Sequence, residues 1–168
     1  MLITNLKIQK FEKGLWSYHM LLPDEIADTF INAGTKRLMC QIEDHSAFHA
    51  GLMPDGDGRW FIKLNKEKMK KMDLSLGQEV RVRLTKDESK YGMSMPAVFE
   101  ELLYQDPEGA DYFEALSPGK KRTLIYMVSS VKSEEKRIGK AIVILDHLKV
   151  NKGKLDFKML NAAMKGAT

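Results

Sequence analysis

Residues 79–86 read EVRVRLTK, and residues 96–103 read PAVFEELL. In the first stretch Val80, Val82 and Leu84 alternate with Arg81, Arg83 and Thr85. That is the period of a strand with one face in a core and the other in water. In the second, Phe99, Leu102 and Leu103 recur every three to four residues, the helical period. Between them Asp87 to Met95 is a polar connector. The change of rhythm predicts a chain of two parts, a β part over 1–88 and a helical part over 96–168.

The period of two extends backward from residue 79. Leu6 and Ile8 share one side of residues 2–11, and Lys13-Gly14 reads as a turn. Trp16, Tyr18, Met20 and Leu22 share a face of the next strand, so the two make a hairpin. Pro23 opens a short helix with Ile26, Phe30 and Ala33 on one face, and Gly34 stops it. Leu38, Cys40 and Ile42 point inward in the next strand, and Phe48, Ala50 and Leu52 in the one after the Asp44-His45 turn. PDGDG at 54–58 is a strong turn signal, followed by Trp60, Ile62 and Leu64 on one face. Asn65 caps a Lys-rich helix to about Met72. Consecutive antiparallel strands that must hide their edges point to a barrel.

Beyond residue 96 the pattern predicts about five helices. Tyr112, Phe113 and Leu116 follow Pro107, and Ser117-Pro118 is an N-cap with proline behind it. Leu124, Val128 and Val131 face one way, with Ile125 beside them. Ser133 opens the longest helix, whose expected apolar stripe is Ile138, Ala141, Ile142, Leu145 and Leu148. Asp156 caps a last helix carrying Leu160 and Met164. The fold class is α+β, an N-terminal antiparallel barrel with short helices followed by a helical segment.

Composition narrows the function classes. The chain has 168 residues, 43% of them hydrophobic, enough for a core. The single cysteine, Cys40, forms no intramolecular disulfide and fits a reducing compartment. The N-terminus lacks the apolar segment of a signal peptide, and no apolar run reaches the roughly 18 residues of a membrane span. A cytoplasmic location follows as the expectation. The net charge of +4 is mild, but Lys63 to Met72 holds five lysines and one glutamate. Tyr91 to Gly119 holds six acidic residues and no Lys or Arg, and Lys120, Lys121 and Arg122 follow. The plain reading of that asymmetry is acidic and basic helices that offset each other.

Two residue sets are candidate sites. Lys63, Lys66, Lys68, Lys70 and Lys71, with the outward Arg81 and Arg83, form the best nucleic-acid candidate, because phosphate contacts need only a row of positive charge. The acidic stretch argues against it if both share a face. Ser117, Gly119, Lys120 and Arg122, at a helix N-terminus, form a candidate anion site, against the competing reading of an ordinary cap. Gly119-Lys120 is no P-loop, since Gly109 is too far back and Lys121 stands where Ser or Thr belongs. His45 and His49 lie four apart on a turn and strand, roughly 13 Å at extended spacing, so they do not form a metal pair. Asp55 and Asp57 lack the further oxygens of a calcium loop, and Cys40 alternates inward as a core residue. No catalytic set, no metal site and no cofactor is predicted.

The order and spacing of these landmarks carry a family resemblance. Phe11, Trp16, Pro23, the Arg37-Leu38 strand, Phe48, GLMPDGDGRWFIKL at 51–64 and GQEVRVRLTKDES at 77–89 resemble the double-split β-barrel family of unknown function. Phe113, Leu116, SPGKKR at 117–122 and Lys132 through Arg137-Ile138 resemble the bacteriocin-protection, OmpD-associated (OmdA-like) helical family. The resemblance implies a split barrel with appended helices, a role in tolerance of bacteriocin-like or envelope stress, and no agreed enzymatic activity. The barrel shape is also similar to that of small transcription-regulator and antitoxin DNA-binding domains, which is analogy of form only. The leading expectation is a non-enzymatic binding or stress-tolerance protein with a protein or small-ligand partner. The alternatives are a nucleic-acid-binding or regulatory protein using the Lys63–Lys71 side, and an enzyme with a site at the barrel–helix junction.

Overall fold

The structure is a computed structural model that describes residues 1–12 and 18–166. The expected Lys13-Gly14 turn and the place of Trp16 lie outside the described residues. The chain divides into two compact units, Met1–Gly92 and Met93–Thr168.

The first unit is a closed antiparallel barrel of six strands. They are β1 (Leu2–Gln9), β2 (Tyr18–Leu21), β3 (Arg37–Ile42), β4 (Phe48–Pro54), β5 (Trp60–Leu64) and β6 (Glu79–Lys86). Around the ring they run β1-β2-β5-β4-β3-β6, and pairing of β6 with β1 closes it. Closure leaves no open edge, the outcome the run of short strands demanded. The period-two residues make the core. Leu6, Ile8, Met20, Leu38, Cys40, Ile42, Ala50, Leu52, Ile62, Leu64, Val80, Val82 and Leu84 are all buried in it. Each Leu, Ile, Val or Met among them contributes about 1.5–3 kcal/mol on burial.

Two helices add to that core. Helix α1 (Asp24–Asn32) inserts Ala27 and Phe30, and Gly34, at φ 73°, ends it with its N–H on the Ile31 carbonyl. Pro23 is the N-cap residue of α1, one position ahead of the first helical turn. Helix α2 (Lys66–Lys71) inserts Met69, and Asn65 accepts the Lys68 amide at 2.8 Å as its cap.

The second unit holds α3 (Ala97–Gln105), α4 (Pro107–Glu114), α5 (Pro118–Ser129), α6 (Glu134–Val150) and α7 (Phe157–Gly166). Helix α6 packs against the other four. Phe99 and Phe113 meet edge to face at 5.3 Å. The expected stripe of α6 is corrected at four positions. Ala141, Leu145 and Leu148 are buried as expected, but Ile144 and His147 join them, whereas Ile138 and Ile142 stay 37% and 44% exposed. A helix surrounded by four neighbours buries a broader face than one stripe, and that face is centred on Ile144 and Leu148. Asp156 caps α7 by accepting the amides of Lys158 and Met159.

Candidate functional site

The basic set does not gather on one face. Inward Ile62 and Leu64 flank Lys63, so Lys63 stands on the outer face of β5. Arg81 and Arg83 stand on the outer face of β6 by the same alternation. In a ring of six, β5 and β6 are three strands apart and therefore opposite. Helix α2 divides its lysines as well. Lys68 and Lys71 line one hollow, and Lys66 and Lys70 line another with Tyr18 and Asp73.

The Lys68–Lys71 hollow has a volume of about 340 Å³. The loop before β4 supplies His45, Ser46, Ala47 and Phe48, and α2 with its cap supplies Asn65, Glu67, Lys68, Lys71 and Met72. Lys68 Nζ stands 4.9 Å from the centre of the Phe48 ring, within cation–π range. The hollow thus offers two ammonium groups, an imidazole, an amide and an aromatic edge against one carboxylate.

In the second unit Ser117 is the N-cap of α5, with extended backbone and no side-chain capping bond. A Cβ on Gly119 would meet nothing within 4 Å, and Lys120 is exposed. Lys121 pairs with Glu114 at 2.8 Å, and Lys149 pairs with Asp106 at 2.7 Å. Of the acids in the 91–119 stretch, Glu114 is thus paired with a lysine of the basic run that follows it, and Asp106 with a lysine of α6. The Asp106 carboxyl lies below its ordinary range, held there first by Lys149 and then by the Gly109 amide.

Sequence reasoning missed two side-chain clusters on the barrel's outer wall, one polar and one aromatic. The first surrounds Asp87, whose side chain is 1% exposed. His49 Nδ1 lies 2.7 Å from Oδ2, while the Ser89 hydroxyl and amide donate to Oδ1 at 2.6 and 3.0 Å. Burial raises the Asp87 pKa, but the bonds from Ser89 and His49 outweigh it and hold the carboxyl below its usual value. The Gly92 amide donates to Ser89 Oγ, and Arg37 Nη2 donates to the Gly92 carbonyl. His45 and His49 therefore serve different places, and among the described residues no three metal-ligating side chains converge.

The second cluster is aromatic. His19 on β2 and Phe61 on β5 occupy outward positions, yet each is only 4% exposed. Phe11, just past β1, lies parallel to His19 at 3.7 Å, and Phe61 meets both rings edge-on. Burial, and then the charge of Arg59, keep the His19 pKa below its ordinary value, with Asp55 opposing. The adjacent double aromatic Trp60-Phe61 was the available signal, because alternation puts one large ring on each face of the strand.

Two other reactive side chains belong to the fold. Cys40 is fully buried, and burial pushes its thiol up to about 12. His147 Nε2 accepts the Asp156 amide at 3.2 Å and ties α6 to α7. Asp55 closes the 54–58 turn by accepting the Asp57 and Arg59 amides, as a tight turn does.

Comparison with known families gives two matches. Residues 7–84 match a domain of unknown function, DUF1905, and residues 93–150 match the family described as bacteriocin-protection, YdeI or OmpD-associated. No curated protein matches the chain, and no solved structure does. Among the described residues no helix is long and apolar enough to cross a membrane.

Proposed function

We propose, for a chain that joins a barrel of the DUF1905 family to a helical region of the bacteriocin-protection, YdeI or OmpD-associated family, a binding role without catalysis. It holds an anionic partner on the barrel and contributes to tolerance of bacteriocin-like stress. The single buried thiol suits residence in a reducing compartment. The strand order is consistent with the split-barrel form that the sequence suggests.

The observation that carries the reading is the hollow between the loop before β4 and α2. Lys68 and Lys71 lie three apart on a short helix and project to the same flank, where His45, Asn65 and the Phe48 ring complete a polar-and-aromatic lining. Its volume, about 340 Å³, is within the range of small-ligand sites. Three other reactive groups are engaged in structure. Asp87 and His49 fasten the segment after β6, His147 fastens α7, and the Cys40 thiol is buried.

The test has a binding arm and a cellular arm. Inorganic pyrophosphate and a hexaglutamate peptide are titrated into the whole chain at low salt, alongside the Lys68→Ala/Lys71→Ala variant. Binding by the parent chain and about a tenfold loss in the variant support the reading. Cells lacking the chain, or carrying only the variant, are then challenged with a bacteriocin and should be the more sensitive. Rapid turnover of a metabolite in a broad substrate screen, or equal sensitivity of all strains, overturns it.

A further inference from the structure

The aromatic cluster on the outer wall borders a second cleft, of about 570 Å³, that the Lys68–Lys71 hollow does not share. Its lining includes Phe11, His19, Lys7, Lys10, Arg59 and Glu12. Three features of this cleft need explaining together.

The first is the Phe11 ring. It is held parallel to His19 at an interplanar angle of 13°, and Phe61 braces both rings from the edge. His19 and Phe61 are buried, so the ring rests on a fixed support. The part of Phe11 left open lines the cleft. The second is His19 itself. Its Nδ1 is buried with no hydrogen-bond partner. A phenyl ring would support Phe11 equally well, so an imidazole here supplies a polar atom the barrel itself does not use. The third is the rim. Lys7 and Lys10 are exposed and outside every ion pair among the described residues, and Arg59 keeps half of its side chain in solvent while paired with Asp55 at 2.6 Å and Asp57 at 3.7 Å. Glu12 is the one opposing acid in the lining.

We propose that this cleft binds a nucleotide-type ligand, a flat heteroaromatic ring joined to a phosphate. The ring stacks on the open part of Phe11, and the phosphate sits among Lys7, Lys10 and Arg59. Stacking on a braced aromatic beside a cationic rim is the arrangement by which proteins hold unpaired bases. The ligand's two sources, a free mononucleotide and a single strand, share this chemistry and separate by experiment.

The test uses the whole chain and four probes: AMP, adenosine, inorganic phosphate and a twelve-residue oligothymidylate, titrated at low and high salt with the His19 ring resonances as readout. AMP is expected to bind and to shift the His19 resonances. Phe11→Ala should weaken AMP by about tenfold, whereas Phe11→Trp should keep its affinity within about threefold. Lys7→Gln/Lys10→Gln, which alters only exposed side chains, should weaken AMP and leave adenosine unchanged. Lys68→Ala/Lys71→Ala should leave AMP binding as it was, so this site and the proposed hollow succeed or fail separately. Oligothymidylate binding far tighter than AMP, with a steep fall in salt, assigns the site to single strands; comparable affinities assign it to free nucleotides. The proposal is overturned if neither AMP nor the oligonucleotide binds at low salt, if phosphate binds as tightly as AMP, or if binding is indifferent to Phe11→Ala.

Discussion

His49 Nδ1 stands 2.7 Å from Asp87 Oδ2, joining residues that β4 and the end of β6 bring together from 38 positions apart. Asp87 also receives both donors of Ser89, and its own amide donates to the Arg37 carbonyl. The buried carboxylate is the point at which the chain leaving β6 is fastened to the outer wall of β3 and β4.

Asp87→Ala is therefore expected to destabilise the barrel unit by about 2–3 kcal/mol in urea unfolding, because it leaves three donors without their buried acceptor. The effect depends on pH with a definite sign. The folded carboxyl is more acidic than an exposed one, so its contribution is present above about pH 4 and is lost as pH falls through the lower folded value. The gap in stability between parent and variant should narrow on acidification below that point. A gap that stays constant from neutral pH to pH 3 would show that the charge is not what holds the segment.

Gly92→Ala probes the same fastening from its far end. Gly92 has φ +70°, and a Cβ there would lie 2.9 Å from Arg37 Nε and 3.4 Å from its Cγ. Left-handed backbone strain and displacement of the guanidinium from the Gly92 carbonyl add, for an expected loss of about 1–3 kcal/mol. Gly119→Ala is the control. It sits in the first turn of α5 with open space around it, and thermal melts should show it neutral or stabilised by about 0.5 kcal/mol.

These clusters show where the reading of the sequence stops. Alternation at Val80, Val82 and Leu84, or at Leu38, Cys40 and Ile42, is a local property, and it located the strands and their inward faces. The ring order is not local. That β5 pairs with β2 and β4, opposite β6, depends on closure of the whole sheet, and it separates Lys63 from Arg81 and Arg83 although all three are outward. The Asp87 cluster is invisible for the same reason, since no periodicity links His49 to Asp87. Outward burial defeated the binary pattern at His19 and Phe61, because alternation assigns such positions to water and Phe11 covers them from a neighbouring segment. In α6 the pattern located the helix and misplaced its edge, since four surrounding helices decide which flank of a stripe is covered.

The Cys40 thiol gives a chemical clock for the barrel. It is fully buried between inward neighbours of β3, and burial raises it to about 12, so at pH 8 it is both shielded and protonated. A disulfide reagent such as DTNB should titrate no thiol in the native chain and one thiol in guanidinium. Labelling in intermediate denaturant should track unfolding of the barrel followed by circular dichroism. Rapid native labelling at pH 8 would mean that β3 opens without the rest of the ring.

His147 is buried near the C-terminal end of α6, where an apolar side chain would satisfy the helical pattern equally well. Its value lies in Nε2, which accepts the Asp156 amide at 3.2 Å, while Asn151 approaches Nδ1 and donates to the His147 carbonyl. Acceptance at Nε2 requires an imidazole without a proton there. His147→Phe keeps the volume and the burial but removes the acceptor, leaving the Asp156 amide without this partner just ahead of the α7 cap. The expected cost is about 1–2 kcal/mol. It should fall on α7, whose Leu160 and Met164 anchors depend on the position of that first turn. Hydrogen exchange should therefore speed up across residues 156–164 in His147→Phe while α3 to α5 keep their protection. If exchange rises evenly through the helical unit, the imidazole contributes to general packing and not to the α6–α7 connection.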